Sequence, residues 1–161
     1  PDYNEHMFKS ARVRPIGIIH TPFKELKGCP IQPFFSSAEG TVEVFPEFRA
    51  GLKGIGRFSH IVLVYYFDRS DREDLVASPY LERRKRGIFT IRSPHRPNHI
   101  GISVVQLVSH RNGRLKVKQV DMLDHTPLLD IKPYVPDFDA RPKASSGWLA
   151  KRLVEVRGAK A

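Results

Sequence analysis

The segment RSPHRPNHIG, residues 92–101, concentrates side chains that bind and orient polar ligands: two arginines, two histidines and an asparagine. Ser93 and Arg96 each precede a proline, which disfavours helical backbone and keeps both residues extended. The loop is therefore stiff before anything binds, and a stiff loop loses little entropy on binding. We expect His95, Arg96 and Asn98 to point outward in a fixed arrangement. The alternative is a rigid turn whose arginines cap backbone carbonyls.

A second polar segment, DMLDHTPLLDIKPYVPDFD at residues 121–139, places five aspartates among prolines and apolar residues. Its run Asp-His-Thr-Pro, which begins at Asp124, is typical of a turn because an aspartate side chain accepts hydrogen bonds from nearby backbone amides. Such a carboxylate could also hold a pair of ribose hydroxyls or an amine. Asp130 and Lys132 form a charged pair inside a predicted strand, which is either a structural ion pair or part of a site.

The seven histidines do not follow a metal-binding pattern. His95 and His99 are four residues apart, a spacing that brings ligands together on a helix, but Pro97 lies between them. Neither an HxH nor an HExxH pattern is present, and Cys29 is the only cysteine, so a zinc site built from several cysteines is excluded. We expect no metal. The glycines of GLKGIG, residues 51–56, do not have the order of a dinucleotide-binding fingerprint, so a nucleotide-like cofactor would bind outside a Rossmann fold.

The chain is strongly basic, with 27 Lys and Arg against 17 Asp and Glu and a formal net charge of +10. This balance favours a polyanionic partner such as RNA, DNA or an anionic membrane surface. The run RRKR at residues 83–86 is either a phosphate-binding segment or a solvated loop. No apolar run approaches the ~20 residues that a membrane span needs, and the first 15 residues lack the apolar core of a signal peptide. We expect a cytoplasmic protein without membrane association.

Short, β-branched apolar runs predict the strands that must position these polar segments. They lie at residues 15–22, 40–45, 60–67, 87–91, 101–108, 114–120 and 127–131. Asn112 and Gly113 favour the positive φ angles of a two-residue hairpin, so residues 101–110 and 114–120 should pair antiparallel. The 13 prolines argue against long helices.

Few helices are predicted. Residues 46–52 can form one or two turns behind a leading proline, and residues 71–86, interrupted by a proline, can be helical only in pieces. The best candidate is 146–156, with Ser145 or Ser146 as its N-cap. Its apolar residues share one face: Trp148, Leu149, Leu153 and Val156. We predict a mainly β fold, a small single-sheeted β-barrel with short helices and a C-terminal helix.

Four stretches resemble the TsaA-like family of tRNA methyltransferases and follow that family's order. They are GIIHTPFK…PIQPFF, RFSHIVLVYYF, GIFTIRSPHRPNHIGISVVQL and VDMLDHTPLLDIKPYVPDFD. The elements R-S-x-x-R-P-N-x-I-G and D-x-T-P-x-x-D-I-K-P-Y are too long to match by chance. The resemblance covers roughly residues 14–140, the expected core of one domain over residues 1–161.

The resemblance implies a homodimeric enzyme that uses S-adenosyl-L-methionine to methylate N6 of N6-threonylcarbamoyladenosine at position 37 of tRNA. Its tRNA partner would present the anticodon arm to the basic run at 83–86. Arg92, His95, Arg96 and Asn98 would be the catalytic group. The implied cofactor contacts are Gln32, Pro33, Phe67, Asp68, Arg92, Ile102, Asp124, His125, Thr126 and Pro127.

The chain departs from the family pattern at two motif positions. His125 stands where glycine is usual, so the turn must tolerate a side chain. His99 stands where proline is common. From the resemblance we also expect the chain to lack the longer C-terminal extension that helps some members grip tRNA, which would bear on tRNA affinity and substrate choice.

Methyl transfer from a sulfonium requires an acceptor nitrogen in line with the methyl carbon and a group that takes one proton. Arg92 or Arg96 could stabilise an anionic oxygen or hold the threonyl carboxylate in a bidentate manner. His95 and Asp130 are the candidates for the proton acceptor. The alternative function is a non-catalytic basic β-barrel that binds RNA. It would need exposed aromatic rings on a strand for base stacking, whereas Tyr65 and its neighbour Tyr66 lie in an apolar run.

Overall fold

Six of the eight strands close into one antiparallel barrel in the computed structural model, which describes residues 10–158. The order around the barrel is first, second, seventh, sixth, third and eighth strand, and the remaining two strands form a separate ribbon. The fold class predicted from the sequence is therefore confirmed. In chain order the strands are β1 (Gly17–His20), β2 (Glu39–Val44), β3 (His60–Tyr66), β4 (Val76–Ala77), β5 (Arg86–Gly87), β6 (Ile100–Arg111), β7 (Arg114–Lys118) and β8 (Thr126–Pro133).

The core fills the interior of the barrel, because the alternate residues of each strand point inward. In β7, Leu115 and Val117 are buried and Lys116 is exposed, the alternation that the sequence predicts. A six-stranded barrel leaves room only for side chains, and β-branched and leucine residues occupy that space. The residues with no exposed surface include Ile19, Val42, Ile61, Leu63, Val105, Leu115 and Leu128.

The hairpin between β6 and β7 confirms the turn predicted from Asn112 and Gly113. Their φ angles are 50° and 76°, both in the left-handed region that this two-residue turn requires. The two strands pair from Arg111 opposite Arg114 to Gln106 opposite Lys118, with one irregularity beside Val108.

Helical segments are short. A 3₁₀ helix spans Pro46–Leu52 as predicted, and others span Pro33–Phe35, Ile55–Arg57 and Ile88–Thr90. Two α-helices follow the barrel, α1 (Pro136–Asp139) and α2 (Leu149–Gly158), and α2 begins three residues later than the predicted start. The four apolar residues predicted to share a face are half-buried, whereas Val154 between them is 71% exposed. None of the helices within residues 10–158 is long and apolar enough to cross a membrane.

Two predicted elements are wrong. The run 87–91 is not a strand beyond Gly87, because Ile88 and Ile91 are both buried while Phe89 is 77% exposed. That three-residue spacing matches one turn of a 3₁₀ helix and not the alternation of a strand. The segment 71–86 contains no helix; its backbone pairs instead, with β4 against β5 and Ile88 donating a hydrogen bond to the carbonyl of Leu75.

The barrel topology brings the polar segments to one end. Because neighbouring strands are antiparallel throughout, β1, β7 and β3 end where β2, β6 and β8 begin. The connections 21–38, 67–99 and 119–125 therefore meet at this end, which we call the mouth. The opposite end carries the connection 45–59 and the hairpin at Asn112.

Gly101, the second residue of β6, provides a test of packing at the mouth. A Cβ atom there would overlap the Tyr65 ring and lie 2.8 Å from the Phe67 ring. We expect Gly101→Ala to lower the free energy of unfolding by about 1–3 kcal/mol, the usual cost of overpacking. Gly56→Ala is the matched control, since nothing lies within 4 Å of its Cβ position. Urea denaturation compares the two; equal stabilities would contradict the packing argument.

Candidate active site

A hydrogen bond between two connections joins two of the sequence motifs at the mouth. Arg92 donates from Nη1 to Oε1 of Gln32 at 3.0 Å, across 60 residues of sequence. Arg92 is exposed, so its remaining N–H groups can reach a ligand outside the barrel. Pro33 follows Gln32 and opens the short helix Pro33–Phe35, which fixes the direction of the chain beside that bond.

Beneath this bond lies a chain of polar side chains inside an otherwise apolar barrel. Oη of Tyr65 and Oγ of Ser103 are 2.9 Å apart, and Ser103 donates to Oδ1 of Asp121 at 2.6 Å. Tyr65 and Ser103 are only 3% and 2% exposed, and Asp121 is half-buried at the start of the β7–β8 connection. The chain therefore runs from the interior of the barrel to the mouth.

Burial dominates the electrostatics of this chain. It raises the pKa of Asp121 to about 6, although the hydrogen bond from Ser103 and the positive charge of Arg92 act in the opposite direction. Burial also raises the pKa of Tyr65, which keeps its hydroxyl neutral. The nearby thiol of Cys29 contacts the backbone oxygen of Asp121 at 3.4 Å; burial and the charge of Asp121 raise its pKa to about 11, so it is a poor nucleophile.

A second cluster at the mouth is centred on Asp124, which is buried. Its carboxylate accepts a hydrogen bond from the Thr21 amide at 2.9 Å and binds the ammonium group of Lys24. Burial alone would raise the pKa of Asp124, but the hydrogen bonds from Lys24 and the Thr21 amide lower it by more than burial raises it. The resulting pKa is about 2. From the β3 side, Arg69 donates to the Asp124 carbonyl at 2.8 Å and to Oγ1 of Thr126 at 3.3 Å. The Asp124 turn thus fastens the ends of three strands together.

Both departures from the family pattern have left-handed backbone. His125 has φ 62°, a conformation in which glycine avoids the strain of a side chain, and this explains the glycine usual in the family. His99 has φ 41°, which a proline ring cannot adopt because it holds φ near −65°.

Three potential metal ligands also meet at the Asp124 turn. His20, Asp124 and His125 bring one ligand atom each within 4.8 Å of one another. Two of the three groups already have other partners: Lys24 binds the Asp124 carboxylate, and the Glu43 carboxylate lies 2.9 Å from Nε2 of His20. The expectation of no metal stays a prediction.

The loop 92–99 divides into supporting and available residues. Arg96 donates to the Ile91 carbonyl at 3.0 Å, so for this arginine the carbonyl-capping alternative holds. His95 is held by a hydrogen bond between Nδ1 and Oγ of Ser70 at 2.8 Å. Asn98 is exposed, as is Arg92. Asp68, at the end of β3, is exposed and lies 3.4 Å from Arg69.

Two more of the predicted residues, Ile102 and Asp130, lie on strands. Ile102 is 50% exposed on the outer face of β6, beside Ile100 and Tyr66, which are 43% and 40% exposed. Asp130 pairs with Lys132 at 2.9 Å in the middle of β8, with about half of its side chain exposed, and so is a surface ion pair.

The basic run 83–86 beside the mouth also contains one arginine that supports the structure and three cations that are exposed. Arg86 makes two hydrogen bonds to Glu82, at 2.8 and 3.1 Å, and its guanidinium lies 5.4 Å from the Trp148 ring centre. Trp148 in turn donates to the Thr90 carbonyl at 2.9 Å, which attaches the segment before α2 to the loop. Two open clefts of about 660 and 630 Å³ flank the run. The exposed cations along it are Arg83, Arg84 and Lys85.

Comparison with known proteins decides the family. The sequence model of the tRNA-methyltransferase O N-terminal domain matches residues 18–140, which contain the whole barrel from its second residue onward. The chain belongs to the tRNA-methyltransferase O family. The TsaA-like resemblance seen in the sequence is thereby confirmed.

Individual proteins that are similar to this tRNA-methyltransferase O family member support the same assignment. A probable S-adenosyl-L-methionine-binding protein of Pyrococcus abyssi is 54% identical over 148 residues, 91% of this chain and 80% of that protein. A tRNA (adenine(37)-N6)-methyltransferase of Mus musculus is 35% identical over 134 residues, 78% of this chain but only 31% of that protein. A crystal structure of TrmO from Pseudomonas aeruginosa superposes with a TM-score of 0.73 and 35% identity, covering 94% of this chain and 74% of that one.

The interior chain of Tyr65, Ser103 and Asp121 and the linking role of Arg69 are not predicted from the sequence. One signal was available: Ser103 is a polar residue at an inward position of an apolar strand, where Val105 and Leu107 are also buried. A polar residue at such a position needs an interior partner. Identifying that partner requires the register of β3 against β6, which the sequence does not state.

The Asp124 cluster allows a stability prediction. We expect Asp124→Ala to lower the free energy of unfolding at pH 7 by about 2–3 kcal/mol, because the buried Thr21 amide loses its acceptor. The folded pKa is lowered from 3.8 to about 2, so the contribution of the charge is complete above about pH 5 and is lost progressively as pH falls towards 2. Asp130→Ala, at an exposed ion pair, should cost at most about 1 kcal/mol. Urea denaturation at pH 7 and pH 3 tests this; equal losses at both sites would contradict it.

Proposed function

We propose that this protein transfers a methyl group from S-adenosyl-L-methionine to N6 of N6-threonylcarbamoyladenosine at position 37 of tRNA. The observation that carries the proposal is the Arg92–Gln32 hydrogen bond, which joins two motif loops at the mouth. Family membership and the names of the relatives support the cofactor and the class of reaction.

The groups at the mouth fit such a cofactor. The exposed carboxylate of Asp68 suits an amino group or ribose hydroxyls, and the half-buried ring of Phe67 offers an apolar surface beside it. The turn at Asp124 would contribute backbone, since its carboxylate is already bound by Lys24 and the Thr21 amide. The cofactor supplies an electrophilic methyl group on a sulfonium; no metal is needed for its transfer.

The acceptor would be positioned by the loop 92–99. Arg92 is exposed and, among residues 10–158, uses only Nη1 in a hydrogen bond, so it is better placed than Arg96 to hold the threonyl carboxylate or an anionic carbamoyl oxygen. Asn98 would complete the polar wall. His95, fixed by Ser70, would act as a wall residue beside them.

The tRNA backbone would bind along the exposed cations at 83–85 and the clefts on either side. Arginine and lysine at such a surface bind phosphate in a salt-dependent manner. Arg86 would contribute through structure, since Glu82 and Trp148 already engage it. We also propose that the chain folds as a single domain and works in the cytoplasm, as expected from the sequence.

Incorporation of labelled methyl groups tests the activity directly. We expect label from S-adenosyl-L-methionine in tRNA that carries threonylcarbamoyladenosine and none in tRNA that lacks it. Arg92→Ala should reduce the rate by about 100-fold, because a charged contact to the reacting group is lost. Arg57→Ala, an exposed arginine at the opposite end of the barrel, should have no effect.

Two results would reject the proposal in different ways. Equal labelling of both tRNAs would reject the substrate. RNA binding without label, and without response to the cofactor, would favour the non-catalytic RNA-binding alternative.

We also propose that two copies associate through the outer face of β3 and β6. This face exposes Tyr66, Ile100 and Ile102, and an exposed apolar strand face indicates an interaction surface. A second copy would cover Ile102, one of the residues that the family resemblance assigns to the cofactor.

Sedimentation tests this association. We expect Ile100→Arg to convert dimers to monomers, because a charge would be buried at the contact. Val154→Arg, on the exposed side of α2, should leave the dimer intact. A monomeric wild-type protein would reject the proposed contact.

A further inference from the structure

Methylation of the acceptor nitrogen releases one proton that must be taken up. A bond forms between nitrogen and the methyl carbon while the carbon–sulfur bond breaks, and the sulfonium becomes a neutral thioether. The nitrogen keeps the electron pair of its N–H bond, and the proton goes to a base. The site therefore needs a basic group at the mouth that is not already bound by a cation.

Three other aspartates considered for this role, Asp68, Asp124 and Asp130, do not meet this requirement. Asp124 is bound by Lys24 and the Thr21 amide, and both partners make it a weak base. Asp68 lies 3.4 Å from Arg69 and is exposed to water. Asp130 lies in the middle of β8 in a surface ion pair.

We propose that Asp121 accepts the proton from the acceptor nitrogen, and that Ser103 and Tyr65 are positioning residues that hold its carboxylate. This inference rests on the proposed methyl transfer. Asp121 is half-buried at the mouth, on the connection between β7 and β8 that also carries the Asp124 turn. Ser103 binds one carboxylate oxygen at 2.6 Å from inside the barrel.

The direction of the hydrogen bonds follows from proton counting. A serine hydroxyl has one proton, and a charged carboxylate can only accept, so Ser103 donates to Asp121. Tyr65 must then donate to Ser103, which requires a neutral phenol, and burial raises the pKa of Tyr65 accordingly. The chain is thus arranged to hold the Asp121 carboxylate between the hydroxyls of the barrel interior and the positive charge of Arg92.

The charges around Asp121 suit a base that works near neutral pH. The groups that face it are Ser103 from β6, Tyr65 from β3, Arg92 from the loop before β6 and Cys29 from the β1–β2 connection. Among the described residues 10–158, no lysine or arginine forms a direct ion pair with it, and Arg92 acts through its charge at longer range. Burial raises the pKa of Asp121 to about 6, so the group is ionised at pH 7 and more basic than an ordinary aspartate.

Gly101 makes room for this arrangement. It lies opposite Tyr65 in the β3–β6 register, and any side chain there would meet the tyrosine ring. The motif glycine thus permits the position from which Tyr65 reaches Ser103.

The decisive measurement is the single-turnover methylation rate of Asp121→Asn at saturating cofactor and tRNA. We expect a loss of about 100-fold or more, with affinities for S-adenosyl-L-methionine and tRNA within about twofold of the wild type, since only proton removal is affected. The asparagine oxygen can still accept the Ser103 hydrogen bond, so the variant should fold. Asp137→Asn, an exposed carboxylate on α1, is the matched control and should methylate normally.

The pH profile separates a base from a structural residue. The wild-type rate should rise with pH through about 6 and then level off, as the Asp121 carboxylate ionises. Asp121→Asn should lack this rise. Ser103→Ala removes a hydrogen bond that lowers the pKa of Asp121, so its rise should move to higher pH, and this variant decides the question if Asp121→Asn does not fold.

The outcomes distinguish this inference from the proposed function. A wild-type protein that transfers no methyl group would reject both. A wild-type protein that methylates, together with an Asp121→Asn variant of equal rate or of lost cofactor affinity, would reject the role of Asp121 alone.

Discussion

The closure of six antiparallel strands is the constraint on which the site depends. In such a barrel every second connection lies at the same end, and here three connections meet at the mouth. Gln32, Arg92 and Asp124 come from three separate parts of the chain and are brought together only by this alternation. The opposite end contains the tight hairpin at Asn112 and the 45–59 connection. The three site residues therefore lie at one end of the barrel, and the tight hairpin lies at the other.

Much of the barrel could be predicted because its signals are local. The alternation of Leu115 and Val117 with lysines states which face of β7 is buried, and Asn112-Gly113 states where the chain reverses. The failure at 87–91 has a local cause as well: a short apolar run does not distinguish a strand from a 3₁₀ turn until the burial of Ile88 and Ile91 is known. Sequence patterns therefore described the strands of the sheet better than the segments that cross its end.

The site was only partly predictable, because its decisive contacts join distant residues. The motifs placed Gln32 and Arg92 in the site, but only the structure shows that they bind each other. Asp121 was one of five aspartates in a single segment, and nothing local separated it from Asp124. What distinguishes them is the surroundings: Asp124 is next to the ammonium of Lys24, whereas Asp121 lies above the neutral hydroxyls of Ser103 and Tyr65. Equal side chains thus acquire opposite shifts in pKa.

The contact between Arg86 and Trp148 has a practical consequence. Trp148 is the single tryptophan of the chain, so the tryptophan fluorescence of this protein comes from one ring. That ring lies against a guanidinium, at the edge of a cleft that also contains Arg84 and Lys85. A polyanion that binds Arg84 and Lys85 would change the surroundings of the indole ring. The protein therefore carries its own optical probe at the surface where a nucleic acid would approach, and no dye need be attached to follow that encounter.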